Sequence, residues 1–206
     1  KDGYLHTLGD NSSNQLGSNM SNYRFALIAA GYSHSLGIAT MPPLDLVNGN
    51  SVMGWGYNGF NALGLGTVFS SYATPTYLPN SSNTIQIAGS NYITYLLKTN
   101  GNVWYSPSSG YITSTGISNI KEILATGGTS NWIALDNNNT AYQYDFNNAL
   151  IKSIYNVNKI GMTNGIQVTY YFIKNDGSIW GYGDNHYGQL LDGTKINKTS
   201  LTKINL

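Results

Sequence analysis

Residues 157–204 alternate between strand-length runs of β-branched and aromatic residues and short clusters of Gly, Asn and Asp. Gln167-Val168-Thr169-Tyr170-Tyr171-Phe172-Ile173-Lys174 runs into Asn175-Asp176-Gly177. The Asp-Gly pair marks a tight hairpin, because glycine takes a positive φ at little cost. Ser178-Ile179-Trp180-Gly181-Tyr182-Gly183 is the returning strand, and residues 157–160 and 201–204 supply one strand before and one after. Four strands are predicted for this unit. No stretch of the chain carries a 3.6-residue apolar period long enough for a helix of consequence.

The same pattern recurs at a fixed step. Its first glycines are Gly89, Gly127 and Gly165, and its turn positions are Gly101, Asn139 and Gly177, each set 38 residues apart. Asn replaces glycine at 139 and is the next most tolerant residue for a left-handed turn. Two further copies lie upstream. Asp2-Gly3-Tyr4-Leu5-His6-Thr7-Leu8-Gly9-Asp10-Asn11 aligns without a gap on residues 176–185, and Gln15-Leu16 then matches Gln189-Leu190. The other copy reads Ser51-Val52-Met53-Gly54-Trp55-Gly56-Tyr57-Asn58. There Gly31 stands 19 residues before Asn50 instead of 12, so about seven residues have been inserted. Five turn motifs accompany only four glycine-led strands. A period of this size is the mark of repeat architectures. Small four-stranded sheets bury their faces by stacking radially, so the expected fold is an all-β propeller.

Composition narrows the function classes. Charged residues make up 9% and aromatics 13% of the 206 residues, with 17 Tyr. That balance suits a turn-rich β fold and is too aromatic for disorder. The formal charge of +1 offers nothing to nucleic acid. No apolar run approaches the ~18 residues of a membrane-spanning helix. With no Cys there is no disulfide, thiol nucleophile or Cys-zinc site. The three His are not at ligand spacing and the nine acidic residues form no recurring pair, so no metal, cofactor or catalytic set is expected. Asp2, Asp136, Asp176 and Asp184 read as turn residues, and His34 as a packed structural histidine.

The motifs resemble the RCC1 (regulator of chromosome condensation) repeat. Its pattern is a glycine, two residues, then His-Ser, an apolar strand, Asp-Gly, an aromatic strand ending Gly-x-Gly-x-Asn, then Gly-Gln-Leu-Gly. Residues 176–190 follow it closely, and Gly31-Tyr32-Ser33-His34-Ser35 and Ala62-Leu63-Gly64-Leu65-Gly66 match other parts. The resemblance implies one propeller domain over 1–206, with a half-blade at 1–27 and blades at 28–79, 80–119, 120–156 and 157–206. Family propellers typically have seven blades. The resemblance therefore implies a piece of a longer protein, or a half-blade completed by another segment or copy.

It also implies a non-enzymatic protein-interaction scaffold, with a Ran-type small GTPase as the most specific partner and nucleotide exchange as the only activity to consider. Exchange-factor relatives wedge an insertion against the GTPase. Here the insertion carries Pro42, Pro43, Leu44, Asp45 and Leu46, and these are the first partner-binding candidates. Tyr32, Ser33 and Asn91, in the loops after the glycines, are the second set. Those loops carry no carboxylate, which departs from the exchange-factor pattern. Abundant Asn, Ile and Lys with no Cys fit an AT-rich bacterial genome, and hence a soluble secreted or host-delivered protein. The competing class is a surface glycan-binding module, since Tyr, Trp and Asn on a shallow face suit stacking and hydrogen bonding to sugars.

Overall fold

The computed structural model describes residues 3–40, 51–67 and 70–205. Sixteen strands among them make four antiparallel sheets, each a four-stranded meander in chain order. The first holds β1 (Phe25–Ala30), β2 (His34–Ala39), β3 (Ser51–Tyr57) and β4 (Ser71–Tyr77). The second holds β5 (Thr84–Gly89), β6 (Thr94–Lys98), β7 (Val103–Tyr105) and β8 (Thr113–Ser114). The third is built from β9 (Ile120–Ala125), β10 (Trp132–Asp136), β11 (Ala141–Tyr144) and β12 (Leu150–Ile154). The fourth is built from β13 (Val157–Met162), β14 (Thr169–Lys174), β15 (Ile179–Gly183) and β16 (Lys198–Ile204). The described helix amounts to two single 3-10 turns, Met20–Asn22 and Gly59–Asn61.

Each sheet is too small to stand alone, and the core lies between sheets. Leu36, Val52, Leu63, Ile87 and Leu96 join the first pair; Tyr95, Leu97, Ile123 and Trp132 the second; Ile133, Leu135, Tyr170 and Phe172 the third. Burying each Leu, Ile or Phe contributes about 1.5–3 kcal/mol. Inner strands carry the stacking, β1 on β5, β5 on β9 and β9 on β13, which leaves an open arc of blades.

The periodic glycines sit where the inner strands turn outward. A Cβ on Gly89 would lie 2.5 Å from the Gly31 nitrogen, and one on Gly128 would lie 1.9 Å from the Gly165 carbonyl carbon. Backbone meets backbone there, so no side chain fits. At the other end of each blade the hairpin turns are tied down by a repeated bond. Thr99, Asn137 and Asn175 donate their N–H to the carbonyls of Asn83, Asn119 and Asn156 at 2.9, 3.0 and 2.9 Å. Those three asparagines all hold left-handed backbone, with φ of 58, 64 and 60°. Ile120 N–H to Gly101 O and Val157 N–H to Asn139 O then bond each turn to the start of the next blade.

Residues 3–24 contain no strand. Among the described residues the segment aligned with β15 pairs with no strand, and an isolated strand is not stable in water. The loop that follows it nevertheless folds as its repeat dictates. In 10–16, Asn11 Oδ1 accepts the Leu16 N–H at 2.9 Å, Gln15 Oε1 accepts the Ser13 N–H at 2.8 Å, and Gln15 Nε2 donates to Asp10 at 2.7 Å. In 184–190 the same three bonds join Asn185 to Leu190, Gln189 to Tyr187 and Gln189 to Asp184 at 2.8, 2.9 and 2.6 Å. The segment packs on the first sheet, where Gln15 O accepts from Trp55 Nε1 and Ser35 Oγ. An open cleft of about 640 Å³ remains between it and β1, walled by Leu5, Leu8, Ile28 and Trp55.

Candidate functional site

The strand order gives every blade two unlike ends. One carries the β2–β3, β6–β7, β10–β11 and β14–β15 hairpins; the other carries the loops after β1, β5, β9 and β13 and those leaving β3, β7, β11 and β15. Ala39 pairs with Ser51 and with Phe25, so the inserted connection leaves from the hairpin end. Pro42, Pro43, Leu44, Asp45 and Leu46 lie outside the described residues. Tyr32, Ser33 and Asn91 lie at the opposite, loop end.

Tyr32 and Asn91 join neighbouring blades through their backbones, and Ser33 joins two strands of its own blade. Tyr32 N–H donates to Ser90 O at 3.2 Å, Asn91 N–H donates to Thr129 O at 3.2 Å, and Ser33 O accepts the Tyr57 N–H at 2.8 Å. The Tyr32 side chain is free of that work and 67% exposed. Ile166, in the loop after β13, is 82% exposed. Between them runs the Gly127-Gly128 backbone, with Gly127 against Tyr32 and Gly128 against Gly165 and Ile166. The glycines thus bring an exposed apolar patch together from the first, third and fourth blades.

His34 lies beneath this patch, fully buried, with Nε2 3.4 Å from Thr94 Oγ1 and Nδ1 unpaired. Burial lowers its pKa to about 4, so it packs as the neutral imidazole. The acidic side chains near the loops are engaged locally: Asp10 and Asp184 in the clamps, Asp145 with the N–H groups of Asn147 and Ala149, and Asp192 with Lys198 at 2.6 Å. Ser12 and Gln15 hold Asp10, His186 and Gln189 hold Asp184, and Lys198 and Thr194 hold Asp192 below the ordinary carboxylate range. Among the described residues no three His, Asp or Glu come together in a metal-holding group.

A second feature of the loop end is an aromatic cleft of about 310 Å³ between the first three sheets. Phe60, Tyr92, Tyr105, Pro107 and Phe146 wall it, with Ser106, Ser108, Ser130 and Asn147 between them. Phe60 meets Tyr92 at a tilt of 47° with 5.0 Å between ring centroids, and Tyr92 meets Tyr57 at 49° and 5.9 Å. Asn61 fixes this corner by donating to Pro107 O and Gly110 O at 2.8 and 2.7 Å. The sequence reading did not single out Phe60, Tyr92, Phe146 or Ile166. A signal existed for Phe60: it stands two residues after Asn58, as Tyr187 stands two after Asn185, so it marks the same exposed loop position.

Residues 50–97 match the family model described as the Regulator of chromosome condensation (RCC1) repeat. The chain carries the RCC1 repeat, and its four sheets are blades of an RCC1-like β-propeller. Among solved structures it is similar to human WBSCR16, with 15% identity, a TM-score of 0.71, and coverage of 97% of this chain and 62% of that one. It is similar to yeast RCC1 (Prp20), solved bound to Kap60, with 14% identity, a TM-score of 0.58, and coverage of 85% and 51%. Prp20p from Saccharomyces cerevisiae, described with its binding properties to Gsp1p and histones, aligns at 15% identity and a TM-score of 0.51 over 96% and 45%. The chain thus spans less than two thirds of each, and at these identities the likeness is one of fold. No curated protein matches by sequence.

Proposed function

We propose that this propeller segment is a non-enzymatic scaffold that docks a protein partner on its loop end, a Ran-type small GTPase being the partner to test first. The observation that carries the reading is the patch around Gly127-Gly128, where Tyr32 and Ile166 stand exposed on closely packed backbone. Exposed apolar residues on an ordered scaffold lose little entropy on binding and are typical anchors. The fold relative Prp20p, with its described binding to Gsp1p and histones, supports the choice of partner. Exchange chemistry is not part of the proposal, because the nearby carboxylates are held within their own loops.

The test is surface capture of a nucleotide-free Ran-type GTPase, paired with release of a fluorescent guanine nucleotide. Capture is expected, with release no faster than the GTPase alone. Tyr32→Ser combined with Ile166→Ser is expected to weaken capture by about tenfold or more, the scale of two anchor residues. Capture that survives this pair but is lost on replacing residues 41–48 by Asn-Gly moves the site to the insertion. Absence of capture removes the GTPase reading.

A further inference from the structure

We propose that the aromatic cleft at the loop end is a binding site for a neutral carbohydrate, independent of the protein-docking patch around Gly127-Gly128. Among the described residues its lining carries no formal charge, so it offers nothing to an ionic ligand. What it offers is aromatic faces beside polar groups with no other duty. Phe60 is 66% and Phe146 56% exposed, and the partly exposed Tyr92 ring meets Phe60 at a 47° tilt. The hydroxyls of Ser108 and Ser130 and the side-chain amide of Asn147 make no hydrogen bond among the described residues. A pyranose presents the complementary surface: a face of C–H groups that stacks on a ring, and a rim of hydroxyls that both donate and accept.

Two observations favour a sugar over an extended peptide. Strand addition needs a free main-chain edge, and several of the main-chain groups here are already paired. Ser106 N–H is bonded to Thr94 O, and Pro107 O is taken by Asn61. The cleft volume, about 310 Å³, falls at the lower end of the roughly 300–1,000 Å³ of ordinary ligand sites, which suits one or two rings. Phe60 also holds left-handed backbone, with φ of 56°. A bulky residue there is strained, and such strain is concentrated at functional sites.

The probes are cellotetraose and tetra-N-acetylchitotetraose, titrated calorimetrically into the whole chain, with a hexaproline peptide as the competing class. At least one sugar is expected to bind with a dissociation constant between micromolar and millimolar. Phe60→Gly and Phe146→Ser are each expected to weaken it by about tenfold, the loss of one stacked ring. Phe60→Gly relieves the backbone strain, so its melting temperature should not fall. Asn147→Ala should weaken binding a few-fold, while Tyr32→Ser leaves it unchanged. The proposal is overturned if neither sugar binds at ten millimolar, if binding survives Phe60→Gly and Phe146→Ser, or if hexaproline takes the cleft with the same dependence on these residues.

Discussion

The two ends of the blades are made by the same repeat and differ in almost every respect. At the described hairpin end the exposed tips Thr99, Asn100, Asn137, Asn138, Asn175 and Asp176 are polar, and the apolar residues exposed there, Tyr155 and Ile173, flank the turns without forming them. Each of the three described turns is bonded to its own blade's entry, and those at Gly101 and Asn139 are bonded to the next blade as well. At the loop end the backbone is packed as tightly, through the converging glycines. What protrudes is Tyr32, Phe60, Phe146, Ile166 and Tyr187, each between 56 and 88% exposed. The contrast separates two jobs. Where every copy must satisfy the same ladder the residues repeat, and where no ladder constrains them the copies diverge, and divergent exposed apolar residues are the ones that meet other molecules.

The strongest way to break the comparison is at the glycines on which the loop end is built. Gly128→Ala places a methyl 1.9 Å from the Gly165 carbonyl carbon, with only backbone to move aside. It is expected to cost about 4 kcal/mol or more, the range of severe overpacking, and to abolish the cooperative melt followed by circular dichroism. A melt within a few degrees of the parent would mean that the blades do not meet as described.

Acid should come next in size. His34 has a folded pKa of about 4 against an ordinary 6.5, so between these values the unfolded chain binds a proton that the folded chain does not. Stability is complete above about pH 6.5, falls as the pH drops, and is lower by about 3 kcal/mol near pH 4. The lowered carboxylates Asp10, Asp176, Asp184 and Asp192 contribute a separate loss only below their ordinary 3.8. Denaturant titrations at pH 7 and 4.5 should therefore differ for the parent and much less for His34→Gln. An equal slope in both would show that the imidazole is not the titrating group.

The smallest effect sharpens the comparison. Tyr187 is 88% exposed, and Tyr187→Ser should change stability by less than about 0.5 kcal/mol. Its N–H bond to Gln189 Oε1 is backbone-made and survives the change. A larger loss by thermal melt would mean that the loop-end aromatics are packing residues after all.

Much of the architecture was legible in the chain. The 38-residue step marked the inner glycines and the hairpin tips, because both are backbone requirements that only Gly, or Asn in a left-handed turn, meets cheaply. The edges shifted: β14 begins at Thr169 rather than Gln167, and β16 at Lys198 rather than Leu201. Leu5-His6-Thr7-Leu8 reads as a strand yet forms none, since pairing depends on a neighbour that no local pattern reports. The cleft was illegible for another reason. Phe60, Tyr92 and Phe146 look like core aromatics in a chain rich in them, and their exposure follows from loop backbone such as the φ of 56° at Phe60. The insertion attracted notice by its length, which says where the period breaks and nothing about contacts.

The clamp shared by residues 10–16 and 184–190 has a consequence for how the chain folds. Each of its three bonds joins residues no more than five apart. A third copy, in which Asn58 Oδ1 accepts the Leu63 N–H at 2.9 Å, has the same span. Contacts this local close a loop of ~10 residues in roughly 10–100 ns, whereas a hairpin needs about 1–10 μs. The clamps therefore form while the strands are still searching, and they shorten the search by fixing where the chain reverses after β3 and β15. In residues 10–16 the same device closes after a segment that forms no strand among the described residues, and it packs on the first sheet through Gln15 O.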